Sequence, residues 1–280
     1  MIVDERMVTY IRSLERPENP VIEAIEQEAL ESFVPIIRKE TQSFLKVMML
    51  MNRPARVLEV GTAVGFSAIL MSEYLPEGSR ITTIENYEKR IPIARNNFKR
   101  AGKEEQITLI EGDALEVMKT LEGPYDFIFM DAAKGQYIHY MPEAVRLLAD
   151  GGILMSDNVL QDGDIIESRF AVERRNRTIH SRMRDYLYEL KHSNVLETSI
   201  IPLGDGVALS IKKKKEEKEN PKDEKQTSRI TDSCKQSGSV EDCGYVWCRC
   251  SIYRRRGIWT SCKGKEFLYG RHERRRAVCA

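Results

Sequence analysis

From residue 55 onward, short apolar runs rich in β-branched residues alternate with amphipathic stretches, and this alternation limits the folds open to the chain. The runs are Arg56–Val60, Arg80–Ile84, Ile107–Ile110, Tyr125–Met130 and Gly152–Met155. Between them lie helical patterns such as Glu88–Arg100 and Gln136–Leu148. Near-continuous apolar strands suit a parallel sheet covered on both faces. Strand, helix and strand at this spacing make right-handed βαβ units, hence an α/β, doubly wound, mostly parallel sheet. A charged helix over about Ile165–Lys191 is followed by Leu196–Pro202, then Leu203-Gly204-Asp205-Gly206, then Val207–Lys212. Asp-Gly between two apolar runs signals a hairpin, so the final strand is expected to be antiparallel. Three helical segments precede the sheet, the last from about Pro35 to Met51, and could form a lid, an interface between copies, or both.

Composition divides the chain in two. The 280 residues carry a formal net charge of +1, a sum that alone argues against a nucleic-acid binder. Residues 1–211 hold 25 Lys/Arg and 33 Asp/Glu, and residues 212–280 hold 19 and 10, so an acidic body precedes a basic tail. All six cysteines lie in the tail, which leaves the body without disulfides and makes a cytoplasmic setting the default. No run approaches the ~18 apolar residues of a membrane span, and the charged N-terminus lacks a signal-peptide pattern. The expected organisation is an N-terminal helical segment (1–54), a core (55–211) belonging to the same domain, and a disordered tail (212–280).

Ligands of open α/β sheets bind beyond the carboxyl ends of the strands, so the residues at each strand end are the candidates for function. After the first strand comes Gly61-Thr62-Ala63-Val64-Gly65-Phe66-Ser67, which lacks both the dinucleotide fingerprint and the G-K-[ST] phosphate loop. Its glycines permit either a tight turn or close approach of a ligand. The second ends in Glu85, whose carboxylate could accept both hydroxyls of a ribose or be an ordinary surface group. The third ends in Gly112-Asp113-Ala114, where Asp113 could cap a helix or meet an adenine edge. The fourth and fifth end in Asp131-Ala132-Ala133-Lys134-Gly135-Gln136-Tyr137 and Ser156-Asp157-Asn158. Two carboxylates and an amide oxygen are hard ligands suited to Mg²⁺ or a similar cation, the alternative being caps and turns. The three body histidines, His139, His180 and His192, include no pair at metal spacing, which argues against zinc.

Together these motifs resemble the class I S-adenosylmethionine methyltransferases, and within them the metal-dependent O-methyltransferases related to catechol and caffeoyl-CoA enzymes. Asp131–Tyr137, Asp157–Leu160 and Ile201–Gly206 look closest to the bacterial tRNA 5-hydroxyuridine methyltransferases. The resemblance covers about residues 5–214. It implies a seven-stranded Rossmann-like sheet, S-adenosyl-L-methionine as cofactor, Mg²⁺ or Mn²⁺, and a homodimer built on the N-terminal helices. It also implies that Glu59, Gly61 and Ser67 line the methionine and ribose end of the cofactor, while Glu85 holds the ribose hydroxyls. Asp113 and Ala114 would flank the adenine, and Ile37 would close over the cofactor. Asp131, Asp157 and Asn158 would bind the metal, Asp131 also lying near the cofactor, and Lys134 would be the general base.

Arg169, Arg174, Arg175, Arg177, Arg182 and Arg184 cluster after Asp157-Asn158. Such a run is ordinarily a solvated helix face, yet in an acidic body and beside the acceptor mouth it suits tRNA phosphates, with Arg174, Arg175 and Arg177 as the substrate-binding candidates. A small phenolic acceptor of catechol or caffeoyl type is the alternative. A third is a cofactor- or RNA-binding protein without catalysis. In the tail, Cys243, Cys248, Cys250 and Cys262 lack the paired C-x₂-C knuckles of common zinc modules, and the apolar pattern has no sustained period. A disordered extension, read in a shifted frame past an ordinary stop near Lys214, fits this pattern.

Overall fold

A computed structural model describes residues 4–214. The expectations for the tail lie outside the described residues. Three helices come first: α1 (Glu5–Ser13), α2 (Pro20–Glu31) and α3 (Lys39–Asn52). Asp4 caps α1 through its side chain, and Asn19 with Pro20 opens α2. Alternation follows, with β1 (Arg56–Val60), α4 (Phe66–Glu73), β2 (Arg80–Glu85), α5 (Ile91–Arg100), β3 (Ile107–Glu111) and α6 (Ala114–Thr120). Then come β4 (Tyr125–Met130), α7 (Tyr137–Leu147), β5 (Leu148–Ser156), α8 (Arg177–His192), β6 (Leu196–Ile201) and β7 (Val207–Lys212).

The seven strands are ordered β3-β2-β1-β4-β5-β7-β6. The pairs among β1–β5 are parallel, and β7 runs antiparallel to both β5 and β6, as the Asp-Gly turn implied. Successive strand residues face opposite sides, so both faces are apolar. Val57, Ile81, Phe127, Phe129 and Met155 pack beneath α2–α5, while Leu58, Val60, Ile84, Ile128, Met130 and Leu154 pack beneath α6–α8. The strand order reverses between β1 and β4, which places the crevice for ligands at their carboxyl ends. Among the described residues no helix is long and apolar enough to cross a membrane.

Two expected helices are shorter than their periodicity suggested. Residues 35–38 form an extended strap before α3, and its Ile37 carbonyl accepts the Gln42 amide at 2.9 Å. The charged helix begins at Arg177 rather than near Ile165. Residues before it carry left-handed backbone at Gln161 and Asp162 and fold back over α8. There, His180 Nε2 meets the Glu167 carbonyl at 3.2 Å, and Arg184 donates to the Ile165 carbonyl at 3.2 Å. Side chains of the helix thus capture carbonyls that a longer helix would have bonded internally.

Candidate active site

Gly61 and Asp131 meet at the switch point. Gly61 adopts φ +105°, and a Cβ there would lie 2.1 Å from the Asp131 carbonyl oxygen, so β1 and β4 can end side by side only with glycine at this position. Around them opens a cavity of about 510 Å³. Gly61, Glu85 and Ala114 line one side, Asp131, Lys134 and Asn158 the other, and Ile37 borders it from the strap.

On the β1–β3 side the polar groups have chain partners. Glu85 Oε2 accepts the Ala63 N–H at 2.7 Å, and its Oε1 accepts the Asn86 and Tyr87 N–H groups at 3.0 and 2.9 Å. The carboxylate is thereby held at the cavity wall with capacity left for a ribose. Asp113 sits at the start of α6. It is exposed, its Oδ1 caps α6 by accepting from Leu115 and Glu116, and Ala114 beside it supplies the wall. Glu59 is fully buried beneath the wall. Ser67 Oγ donates to its Oε1 at 2.6 Å, and Thr83 Oγ1, itself bonded to Thr62 Oγ1, contacts its Oε2. Burial pushes the Glu59 carboxyl up to about 8 against these bonds, the charges of Asp131 and Glu85 adding to the rise. Glu59 therefore supports Ser67, which lines a smaller recess beside Ile37 and Gly61.

The β4–β5 side is more highly charged. Asp131 is pushed up to about 6 by burial, opposed by the Lys134 charge. Asp157, only 2% exposed, is pushed up to about 8 by burial and by the neighbouring Asp131 carboxylate, and its Oδ1 accepts the Asn158 N–H at 2.9 Å. The Tyr137 hydroxyl reaches the carbonyls of Met130 at 3.1 Å and Asp157 at 3.2 Å, bracing the two strand ends. Asn158, in left-handed backbone (φ +59°), donates its side-chain amide to Asp205 Oδ2 at 2.9 Å. Arg38 from the strap pairs with Asp205 at 2.5 Å and with Asp162 at 2.9 Å. Asp205 and Arg38 were missed in the sequence, where Gly204-Asp205-Gly206 read only as a turn. Among the described residues no three His, Cys, Asp or Glu side chains form a metal-holding group. The candidate donor set is therefore two mutually repelling carboxylates and the Asn158 amide. Their hard-oxygen chemistry and the repulsion between them fit a divalent cation.

The six arginines do not act as one surface. Arg177 donates to the Val172 and Phe170 carbonyls, Arg182 to the Gly135 carbonyl and Arg184 to that of Ile165. Arg177 thus clasps the loop before α8 while remaining half-buried. Arg169, Arg174 and Arg175 are exposed, Arg175 pairing with Glu173 at 2.7 Å.

Comparison with known proteins finds O-methyltransferases. A catechol O-methyltransferase of Niastella koreensis is 32% identical over 164 residues, covering 56% of this chain and 74% of that protein. Caffeoyl-CoA O-methyltransferase 2 of Populus trichocarpa is 30% identical over 180 residues, covering 59% and 70%. The SAH-bound methyltransferase PaMTH1 of Podospora anserina superposes with a TM-score of 0.68 at 25% identity, covering 75% of this chain and 94% of that one. The sequence pattern of the O-methyltransferase family matches residues 15–213, and the chain belongs to that family.

Proposed function

We propose that the protein transfers the methyl group of S-adenosyl-L-methionine to an acceptor hydroxyl, assisted by Mg²⁺ or Mn²⁺, and that the acceptor is 5-hydroxyuridine at the wobble position of tRNA. The observation that carries the methyl transfer is the continuous cavity joining Gly61, Glu85 and Ala114 to Asp131, Lys134 and Asn158. Glu85 would hold the ribose of the cofactor, Ala114 would flank its adenine and Ile37 would cover it. Asp131, Asp157 and Asn158 would hold the cation, which when bound lowers the pKa of the acceptor hydroxyl and fixes its place. Only as a neutral amine would Lys134 take the acceptor proton at Nζ. In-line displacement at a sulfonium methyl depends on alignment, which the rigid strand ends supply.

Support for a large acceptor comes from the segment after Asn158. It carries exposed Arg169, Arg174 and Arg175 beside Phe170 and Ile166, which are 83% and 80% exposed. Cations interleaved with an exposed aromatic suit phosphates and unstacked bases. The second reading, a small catechol or caffeoyl-type acceptor, is favoured by the names of the relatives. Both acceptors offer two neighbouring oxygens. Labelled cofactor and Mg²⁺ are incubated with hydroxyuridine-containing tRNA or with a catechol. Label in the tRNA is expected; label in the catechol alone selects the second reading, and label in neither, with cofactor bound, removes catalysis. EDTA is expected to abolish turnover, and full turnover in its presence removes the metal.

Residues 4–214 are sufficient under this proposal, so truncation after Lys214 leaves methylation intact. A homodimer is proposed on the exposed apolar side chains Met7, Tyr10 and Leu14 of the α1 region and Leu50 and Met51 of α3, and sedimentation at twice the monomer mass checks it.

A further inference from the structure

The amide of Asn158 faces a chemical choice. A carboxamide has a donor end and an acceptor end, and only the oxygen can face a cation. Left to itself beside Asp131 and Asp157, the amide would turn its NH₂ toward those carboxylates, which accept and cannot donate when ionised. Its oxygen would then point away from the metal. In the fold the NH₂ is instead engaged by Asp205 Oδ2 at 2.9 Å, the Arg38 guanidinium lying against Oδ1, and that contact fixes which end is which. We infer that Asp205 is a positioning residue for Asn158, turning its amide oxygen toward the cation, with Arg38 holding Asp205 in place. The inference rests on the metal-dependent reading above.

Three further features tie Asp205 to this task. The hairpin that bears it is stitched to the chain just beyond Asn158, since Val159 N–H donates to the Gly206 carbonyl and Leu160 N–H to the Asp205 carbonyl, both at 2.9 Å. Gly206 has φ +89°, and a Cβ there would lie 2.3 Å from the Leu160 side chain, so the two segments cannot pack this closely with any larger residue. The Arg38 guanidinium lies 2.5 Å from Asp205 Oδ1, leaving Oδ2 to the Asn158 amide. Arg38 follows Ile37 in the strap, so the segment that borders the cofactor side also supports the metal side.

The test is Mn²⁺ binding followed by electron paramagnetic resonance on the full chain, with cofactor affinity measured calorimetrically on the same samples. Asp205→Ala removes the acceptor, and Asp205→Ser keeps the turn polar with a side chain too short to reach Asn158. Both are expected to weaken Mn²⁺ by about 10- to 100-fold, the usual effect of losing an outer partner of a metal ligand. Cofactor affinity should hold, and methylation should recover at high Mn²⁺. Asp205→Asn retains an acceptor oxygen for Asn158 and is expected to stay near the wild-type Mn²⁺ affinity. If the alanine or serine variant, binding cofactor normally, holds Mn²⁺ as tightly as the wild type does, the inference is overturned and the metal reading survives. A wild-type chain that binds cofactor and no Mn²⁺ overturns both.

Discussion

At the ends of β1–β3, the polar groups bordering the cavity are already partnered by the chain itself: Glu85 takes three backbone N–H groups, and Glu59 holds Ser67 from below. At the ends of β4 and β5 and in the β6–β7 turn, Asp131, Asp157 and Asp205 are each pushed up by burial and by a neighbouring carboxylate, and Lys134 opposes the rise at all three. The first half is preorganised without a ligand. The second half is electrostatically incomplete, and a cation placed among its carboxylates would reverse the direction of their shifts. The same parallel scaffold thus supports a rigid socket on one side and a charge-dependent one on the other.

The sharpest way to separate the halves is Asp157→Asn, which keeps the size and an acceptor for the Asn158 N–H. Loss of several kcal/mol of transition-state stabilisation should lower kcat by about 10³-fold, while calorimetry finds cofactor affinity unchanged. Joint loss of both would show that the halves do not act independently. Gly61→Ala is the complementary change, because Gly61 is where they touch. A Cβ 2.1 Å from the Asp131 carbonyl, on a backbone at φ +105°, should destabilise the fold by about 3 kcal/mol and weaken cofactor and Mn²⁺ together; urea unfolding measures the first. Wild-type stability in Gly61→Ala would mean that the strand ends can part without cost.

Glu59 tests the socket that needs no ligand. Its folded pKa of about 8 lies above the usual carboxylate value, so its contribution to stability is full in acid and is lost as pH rises through about 8. Glu59→Gln cannot ionise; its amide oxygen still accepts from Ser67, and its NH₂ faces Thr83 Oγ1, which reverses the bond that Thr83 donates to Glu59. Between pH ~5 and ~8.5 the wild type should lose on the order of 4 kcal/mol more than the variant, read from urea midpoints. Equal slopes would place the charge elsewhere.

Much of the sheet was legible because its signals are local. Strand runs such as Tyr125–Met130 are apolar on both faces, and Asp-Gly marks the β6–β7 turn whatever surrounds it. The strand-end residues Gly61, Glu85, Asp131, Lys134 and Asn158 were legible for the same reason, since topology alone sends them to the crevice. The features that escaped depend on contacts distant in sequence. Asp205 meets Asn158 across 47 positions, and Arg38 meets Asp162 across 124. The start of α8 escaped because His180 and Arg184 bind carbonyls upstream of the helix, a competition that periodicity does not register. Asp113 shows the reverse: its role as a helix cap is local and was legible from the sequence.

The arginines give the smallest effect and the closest contrast on the β4–β5 side. Arg182 is half-buried and donates to the Gly135 carbonyl next to Lys134, whereas Arg174 is exposed. Removing Arg182 should destabilise by about 1 kcal/mol, because it leaves a carbonyl short of its donor. Arg174→Ala should fall within about 0.5 kcal/mol of wild type, as exposed substitutions do. Binding should rank them the other way. If tRNA is the acceptor, Arg174→Ala lowers the slope of log affinity against log salt by about 1, and Arg182→Ala leaves it unchanged. A salt slope that is flat in the wild type removes phosphate contacts from the exposed arginines and leaves the small catechol-type acceptor as the reading to pursue.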